Sequence, residues 1–363
     1  MTTVLEDGEH TQQYFGSSSA GSFTQRIKSA IDAKLGVSTA SDTGGTLPAT
    51  TLGPTPAVGA LEYTLPPRRT ADRLIGVYWY YVDPLYPFLE RRNFEQTYER
   101  LFTGTPVNVD ERIFVTTLNV MFALSTQLLE SLEQEYRDDS SNLYFRKAQD
   151  LLPLNLFNPG SLELVQCLLL MSQYLQCTNC PHQMWMVVGA AVRTAQSMGL
   201  HLSQTSDVGD VQKREILRRL WYGCVLMDRV VSVTHGRPAM ISQKFAAEVP
   251  LPLSTENNNT DGVNAFPRHD FSRIAFFVKS VELYEIINRM TMTVHSSGST
   301  KGSEKEPCPT QAEDTDQGLE SIIEFDESLS QWEKRVPDHL NIKFLELSTD
   351  EINKRQAVIL RIR

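Results

Sequence analysis

Residues 161–176 read SLELVQCLLLMSQYLQ, a segment that is apolar on nearly every side of a helix. Ser161 is a favourable N-cap residue, because its hydroxyl can accept a hydrogen bond from a backbone N–H of the first turn. A helix that is hydrophobic all round has to be buried inside a domain. The segment therefore predicts a central helix that is enclosed by other elements.

The flanking segments predict helices that pack against this one. Residues 110–136 place apolar side chains at the spacing of an amphipathic helix, with Asp110 and Glu111 at its positive N-terminus. The predicted stripe consists of Phe114, Leu118, Met121, Phe122, Ser125, Leu128 and Leu129. Residues 181–201 have Pro181 in the first turn and Gly199 at a C-cap position, which predicts a helical hairpin across the CTNC turn.

Further helical patterns precede and follow this hairpin. One covers about 70–82, is stopped by two prolines, and is followed by a second helix after Asn93. Later helices are predicted at about 211–234, 270–292 and 319–335, and a last one begins near the end of the chain. No alternating strand pattern of useful length and no internal repeat is evident. The predicted fold class is all-α, an irregular multi-helix domain over residues 70–363.

Two polar regions have a composition that cannot bury enough apolar surface to order itself. Residues 1–69 are rich in Ser, Thr, Gly and Pro and are predicted to be mostly a disordered tail or linker. Within this tail Phe23, Ile27, Ile31 and Leu35 recur every four residues and predict a short helix near 23–35. Residues 295–317 are predicted to be a disordered insert.

The charge and the apolar runs exclude several classes of protein. The 363-residue chain has a formal net charge of −10. Phosphate binding needs clustered Lys and Arg on one face, so this charge argues against a chain that grips nucleic acid by itself. The N-terminus lacks the apolar core of a signal peptide, and no run reaches the roughly 18 apolar residues of a membrane span. We expect a soluble intracellular protein that does not contact membranes.

The cysteines offer one candidate metal or redox site. The chain has five, which fit reduced thiols better than a disulfide framework: Cys167, Cys177, Cys180, Cys224 and Cys308. Cys177, Cys180 and His182 form C-x-x-C-x-H, which resembles half a zinc site or a redox pair. A structural zinc site usually needs four ligands, and the nearest other cysteine, Cys167, lies on the predicted buried helix. An ordinary helix–helix turn is the favoured interpretation, and neither a metal nor a cofactor is assigned.

No motif of an enzyme is evident. The chain lacks the glycine-rich nucleotide loops, the nucleophile elbow and the H-E-x-x-H pair. His201, His235 and His269 each lie near a predicted helix end, where an imidazole more often caps or packs than catalyses. No catalytic residue is therefore assigned, and we expect that the chain is not an enzyme.

Residues 218–238 read RRLWYGCVLMDRVVSVTHGRP and combine many charges with an apolar run. A helical projection puts on one face Leu217, Leu220, Trp221, Cys224, Met227, Asp228 and Val231. Asp228 is thereby drawn toward the buried stripe, whereas Arg218, Arg219 and Arg229 lie at or beside its edges.

A buried carboxylate without partners is costly, so we expect an arginine or a set of backbone N–H groups to bind Asp228. Residues 236–238, Gly-Arg-Pro, are expected to end the helix. The alternative is that the arginines clamp a ligand or contact DNA, but the acidic chain offers no supporting basic surface.

The same stretch resembles the signature of the middle homology region of fungal binuclear zinc cluster (Zn₂Cys₆) transcription factors. That signature contains Arg-Arg-Leu-Trp-Trp, Asp-Arg, Gly-Arg-Pro and a Pro-Leu-Pro-like segment, and here RRLWYGCVLMDRVVSVTHGRPAMI is followed by VPLPL. We call the following eight the signature residues: Arg218, Arg219, Trp221, Asp228, Arg229, Gly236, Arg237 and Pro238.

Other segments carry the same resemblance. LIGVYWYYVDPLYPFLERRNF is similar to the opening helix and turn of the family, and CLLLMSQYLQ with MWMVVGAAVRTAQSMGLH is similar to its central helix pair. QWEKRVPDHL resembles a later Trp…Pro-x-x-Leu element, and QYFGSSSAGSF resembles a short segment found upstream. The resemblance extends from about residue 12 to the end of the sequence.

The resemblance implies the all-α regulatory domain of a nuclear transcription regulator that controls a fungal gene set, such as a secondary metabolite cluster or carbon or nutrient metabolism. It also implies a homodimer or a heterodimer with zinc cluster factors, and a small-molecule effector. The family's six-cysteine zinc cluster is not among these residues, so zinc and base contacts are assigned to no residue. DNA is therefore expected to be reached indirectly or through a missing N-terminal segment, and the C-terminus is expected to be truncated.

Two alternatives to a DNA-binding regulator stay open. The first is a module that binds a metabolite or a partner protein and regulates indirectly, by pairing with a complete zinc cluster factor. The second, which the sequence favours less, is an enzyme on the same helical scaffold.

Overall fold

The computed structural model describes residues 63–152, 160–203, 210–252, 268–298, 311–343 and 350–363, together with Ile27, Ile31 and Lys34. The described residues form helices joined by turns and contain no strand, which confirms the all-α fold class. The α-helices, numbered along the chain, are α1 (Arg68–Tyr81), α2 (Arg91–Thr103), α3 (Glu111–Gln127), α4 (Gln134–Leu151), α5 (Leu162–Cys177), α6 (Pro181–Ser197), α7 (Val211–His235), α8 (Gln243–Ala247), α9 (Arg268–Gly298), α10 (Gln311–Lys334) and α11 (Glu351–Ile362). A 3₁₀ turn at Asp338–Leu340 lies between the last two. None of the described helices is long and apolar enough to cross a membrane.

Local signals start and end several helices at the predicted positions. The side chains of Asp110 and Ser161 accept hydrogen bonds from first-turn backbone N–H groups of α3 and α5. Pro181 occupies the first turn of α6, where its missing N–H leaves no helical hydrogen bond unmade. Gly236 ends α7 in the left-handed conformation, with φ of 61°. These termini are confirmed because each depends on only a few neighbouring residues.

Helix α5 is the central helix that its sequence predicts. Residues 167–175 are all buried, and the helix packs against α3, α6 and α7. The hairpin of α5 and α6 across the CTNC turn is also present.

The amphipathic interpretation of residues 110–136 is wrong for α3. Residues 114–126 of this helix are buried on every side, because α1, α4 and α5 all pack against it. Three of its buried hydroxyls bond within the helix: those of Thr116, Thr117 and Thr126 donate to backbone carbonyls four residues earlier, at 2.7–2.9 Å. Leu128, which was assigned to the apolar stripe, lies just beyond the helix and is 40% exposed.

The turn between α1 and α2 connects three helices of the core through Phe88, which is fully buried. The ring of Phe88 meets the edge of Phe277 on α9, with 6.1 Å between the ring centroids. The amide of Gln166 on α5 donates to the carbonyl of Phe88 at 2.8 Å. On α7 the ring lies against Gly223, where a Cβ would come within 2.6 Å of Phe88 Cε1.

We expect Gly223→Ala to lower the free energy of unfolding by about 1–3 kcal/mol, because the new methyl group overpacks this contact. The neighbours are ring and methyl atoms of Phe88 and Leu169 in a filled core, so they have little room to move. The measurement is urea unfolding followed by far-UV circular dichroism. Gly76→Ala in α1 is the matched control: a Cβ there meets nothing within 4 Å, and the helix should gain about 0.5–1 kcal/mol. Equal effects of the two substitutions would contradict the proposed close approach.

The helices extend into the predicted disordered insert at both ends. Helix α9 reaches Gly298 and α10 begins at Gln311, whereas helices were expected to stop near residue 292 and resume near residue 319. The first turns of α10 are acidic and favourable for a helix N-terminus, but they carry few apolar residues, so an apolar pattern does not reveal them. Residues 299–310 lie outside the described residues, as does most of the predicted helix near 23–35; its described members Ile27 and Ile31 are helical and exposed.

The last helix packs against the first. Arg355 and Gln356 of α11 donate to the backbone carbonyls of Tyr80 and Pro84, at 2.6 and 2.7 Å. Arg363 donates to the hydroxyl of Tyr86 at 2.6 Å. A small second core lies beside this contact and consists of Ala275, Phe276, Leu340 and Leu360.

Candidate functional site

Helix α7 carries the signature residues through the interior of the domain. Residues 220–232 are all buried, because α5, α6 and α9 pack around the helix. The expectation that Arg229 lies at the edge of the apolar stripe is therefore wrong: its side chain is fully buried. Arg218 is also buried, with 9% exposure, and only Arg219 lies at the half-buried margin.

Asp228 has the partners that its predicted burial requires. Its Oδ1 accepts from the backbone N–H of Met240 at 3.0 Å, and its Oδ2 accepts from the N–H of Ile241 at 2.8 Å. The Nη1 of Arg229 donates to Oδ2 at 2.9 Å. Burial raises the pKa of Asp228, while these three donors act in the opposite direction. The carboxylate thus fixes the segment that follows α7 onto the helix itself.

Arg229 extends this arrangement to a second helix. Its Nε donates to Oε1 of Glu285 on α9 at 3.0 Å, so one guanidinium binds two carboxylates. We call these three residues the Asp228–Arg229–Glu285 cluster. Glu285 Oε2 and Arg229 Nη2 are buried and have no hydrogen-bond partner among the described residues. The cluster consists of two carboxylates and one guanidinium, and it joins α7 to α9.

The Gly-Arg-Pro part of the signature forms the turn after α7. The backbone N–H of Arg237 donates to the carbonyl of Ser232 at 3.1 Å, and the Ser232 hydroxyl donates back to the carbonyl of Arg237. The Arg237 guanidinium lies over the ring of Trp185 on α6, 4.4 Å from its centroid, a favourable cation–π geometry. Pro238 is exposed. Arg237 therefore holds the turn against α6.

The other signature residues are part of the packing at the N-terminal half of α7. Arg218 pairs with Glu215 one turn earlier, at 2.9 Å, and both side chains are buried. Trp221 is fully buried and lies beside the ring of His201, with 5.9 Å between the centroids. The hydroxyl of Tyr222, which follows it, donates to the carbonyl of Val249 at 2.5 Å.

The structure separates the residues of the candidate metal site. Cys177 ends α5, Cys180 is the N-cap of α6, and His182 is exposed on the first turn of that helix. Cys167 is buried, and its burial raises the pKa of the thiol to about 12, so it is not available as a thiolate. Within the described ranges, no three His, Cys, Asp or Glu side chains are grouped so that they could hold a metal ion.

The histidines have packing and capping positions where they are described. His201 lies between the rings of Trp221 and Phe245, and burial lowers its pKa. The Nδ1 of His235 is 2.8 Å from the carbonyl of Val231 at the end of α7. His269 lies in α9, but its side chain is outside the described residues.

A cavity of about 450 Å³ opens next to the Asp228–Arg229–Glu285 cluster, between α7, α8, α9 and α10. Glu285 belongs to both the cluster and the cavity wall. The apolar part of the wall consists of Ala246, Ala247, Leu251, Val281 and Ile286, together with the ring of Tyr222. This site was not predicted from the sequence. The signal that could have pointed to it is a pair of glutamates inside the otherwise apolar pattern of α9.

Comparison with known families matches most of this chain. The family model described as "Fungal specific transcription factor domain" matches residues 75–334, which include the entire signature. The chain belongs to this family. The family match runs from within α1 to the end of α10 and therefore includes the cluster and every cavity-lining residue except Arg335.

Curated relatives are transcription factors and regulatory proteins of fungi. The chain is 32% identical over 305 residues to the "Sorbicillinoid biosynthetic cluster transcription factor 2" of Penicillium rubens, a match that covers 82% of this chain and 42% of that protein. It is 37% identical over 253 residues to the "Sorbicillinoid biosynthetic cluster transcription factor sor3" of Hypocrea jecorina, which covers 64% of this chain and 36% of that protein. It is 26% identical over 284 residues to the "Acetamidase regulatory protein" of Aspergillus fumigatus, a match that covers 77% of this chain and 32% of that protein. The chain thus spans about two fifths or less of the length of these relatives, and no solved structure matches it.

Proposed function

We propose that this chain is the regulatory domain of a nuclear transcription regulator that controls a dedicated set of fungal genes. The observation that carries the proposal is the family match over residues 75–334, with every signature residue in place. A biosynthetic gene cluster is the preferred target, because two relatives above 30% identity are named as biosynthetic cluster transcription factors. The more distant acetamidase regulatory protein supports nutrient metabolism as the second choice.

The geometry supports a structural role for the signature rather than a DNA-reading one. Arg218 and Arg229 are buried and bind carboxylates, so neither guanidinium is free to reach a phosphate. The net charge of −10 adds no basic surface to replace them. We therefore propose that DNA is reached through a segment outside this sequence or through a paired zinc cluster factor, in a homodimer or a heterodimer.

The test of the proposal is deletion of the gene in the native fungus, with transcripts measured genome-wide. We expect a coordinated change of severalfold or more in one group of functionally related genes, restored when the gene is reintroduced. Unchanged transcripts together with accumulation of a single metabolic intermediate would support the enzyme alternative instead. The names of the relatives already favour regulation over catalysis.

A second measurement separates direct from indirect action. The full chain is fused to an unrelated DNA-binding domain, and expression of a reporter gene with the matching operator is measured. We expect the fusion to change reporter expression, whereas the purified chain alone gives no sequence-specific gel shift. A specific shift by the chain alone would contradict the indirect mode of DNA contact.

A further inference from the structure

We propose that the cavity between α7, α8, α9 and α10 binds a small organic carboxylate with an apolar body, and that Arg289 and Arg335 hold its carboxylate. As a regulatory site this inference rests on the proposed function, but binding itself can be tested without it.

The charges of the wall leave two arginines without an ion pair to a described carboxylate, although the Nε of Arg335 donates to the carbonyl of Gln331 at 3.3 Å. Glu282 is paired with Lys279 at 3.3 Å, and Glu285 is paired with Arg229 at 3.0 Å. Arg289 and Arg335 also line the cavity, and neither makes an ion pair with any described residue. Lys279 thus offsets the charge of Glu282, and Arg229, which is shared with Asp228, offsets part of the charge of Glu285, so the two wall arginines are left for an anion.

The pairing of Glu285 is unusual for its position on the helix. Glu285 and Arg289 are four residues apart on α9, the spacing and order at which a glutamate and a basic residue normally pair on one helix face. Arg229 instead draws the Glu285 carboxylate inward, toward α7. The buried cluster thereby keeps Arg289 available for an anion in the cavity.

The remaining surface suits a small amphipathic molecule. The volume of about 450 Å³ lies within the range of roughly 300–1,000 Å³ that is typical of small-molecule sites. Leu251, Val281 and Ile286 supply apolar surface for the body of a ligand. Guanidinium groups bind carboxylates through paired, charge-assisted hydrogen bonds, which favours this anion over a neutral polar group.

A carboxylate held by both arginines would add a polar connection between two helices. Arg289 lies on α9, and Arg335 directly follows α10. The indole N–H of Trp332 on α10 donates to the carbonyl of Lys279 on α9, at 3.1 Å. Ligand binding would therefore fix α10 against α9 and provide a physical route to regulation.

The experiment measures binding of three carboxylates to the purified full chain: octanoate, decanoate and 3-phenylpropionate. Each is compared with the alcohol of the same carbon skeleton by isothermal titration and by the thermal unfolding midpoint. We expect at least one carboxylate to bind with 1:1 stoichiometry and at least about tenfold more tightly than its alcohol. We expect Arg289→Gln and Arg335→Gln each to weaken that binding, and the double variant to weaken it by about tenfold or more.

Arg146→Gln is the matched control, because Arg146 is an exposed arginine of α4 that does not line the cavity. Arg335 is exposed beyond the end of α10, so its substitution keeps the test valid if Arg289→Gln impairs folding. The site is overturned if no carboxylate binds, if the alcohols bind equally well, or if the double variant binds like the unmodified chain. If the reporter fusion changes reporter expression but no carboxylate binds, the proposed binding site is contradicted and the proposed function is not. If the fusion leaves reporter expression unchanged but a carboxylate binds, the proposed function is contradicted and the binding site is not.

Discussion

Asp228→Asn is expected to lower the free energy of unfolding by about 3–5 kcal/mol, because it removes the charged acceptor that binds a fully buried guanidinium and two backbone N–H groups. The Arg229 side chain is fully buried, and Asp228 is its closest anionic partner at 2.9 Å. Asparagine also replaces one of the two oxygens that accept from the backbone of Met240 and Ile241 with an N–H donor. The substitution therefore loosens the segment after α7 as well as the ion pair.

Chemical unfolding in urea, followed by far-UV circular dichroism, measures this loss. The matched control is Glu95→Gln, which removes the exposed pair of Arg91 and Glu95 on α2, 2.8 Å apart. Exposed pairs of this kind contribute about 1 kcal/mol or less. If the two substitutions shift the urea midpoint by similar amounts, the Asp228–Arg229–Glu285 cluster does not hold α7 to α9 as described.

Phe88→Ala is expected to have an effect of similar size, a loss of about 3–5 kcal/mol. Phe88 is fully buried and touches α7 at Gly223 and α9 at Phe277, while α5 binds its carbonyl. Removal of the ring opens a cavity where three helices meet, and a helix core cannot collapse to fill it without moving one of them. Thermal and urea unfolding measure the loss.

Two further variants make this prediction falsifiable if Phe88→Ala does not fold. Phe88→Leu keeps much of the volume and is expected to cost less than the alanine substitution. Phe245→Ala removes a phenylalanine that is 46% exposed on α8 and should cost less than about 1 kcal/mol. The loss of unfolding free energy should be largest for Phe88→Ala, smaller for Phe88→Leu and smallest for Phe245→Ala. Any other order would contradict the role of Phe88 in connecting α5, α7 and α9.

Sequence reasoning succeeds where a feature is decided by a few neighbouring residues. The cap at Ser161, the first-turn proline at residue 181 and the left-handed Gly236 are all local, and the structure has them at the predicted positions. The burial of Asp228 was also predictable, because a single helix projection puts it among apolar residues.

What the sequence does not reveal is how many neighbours a helix has. Residues 114–126 of α3 and 220–232 of α7 are buried on all sides. The apolar pattern of a single helix shows which face is buried first, but it does not show how many other helices pack against the remaining faces. For this reason the helical projection puts Arg229 at the edge of the apolar stripe of α7, although its side chain is fully buried. Its second partner, Glu285, is 56 residues further along the chain, and only the tertiary fold brings the two together. The cavity depends on the same long-range packing of four helices.

The contact between α11 and α1 has a consequence for the synthesis of the protein. Gln356 and the carbonyl of Pro84 that it binds are 272 residues apart. At roughly 5–20 residues per second, a ribosome needs on the order of 10–50 s to make the intervening chain. Throughout that time Arg355 and Arg363, which lie over the rings of Tyr80 and Tyr86, are missing, so the end of α1 and the turn after it reach their final packing only once α11 has been made.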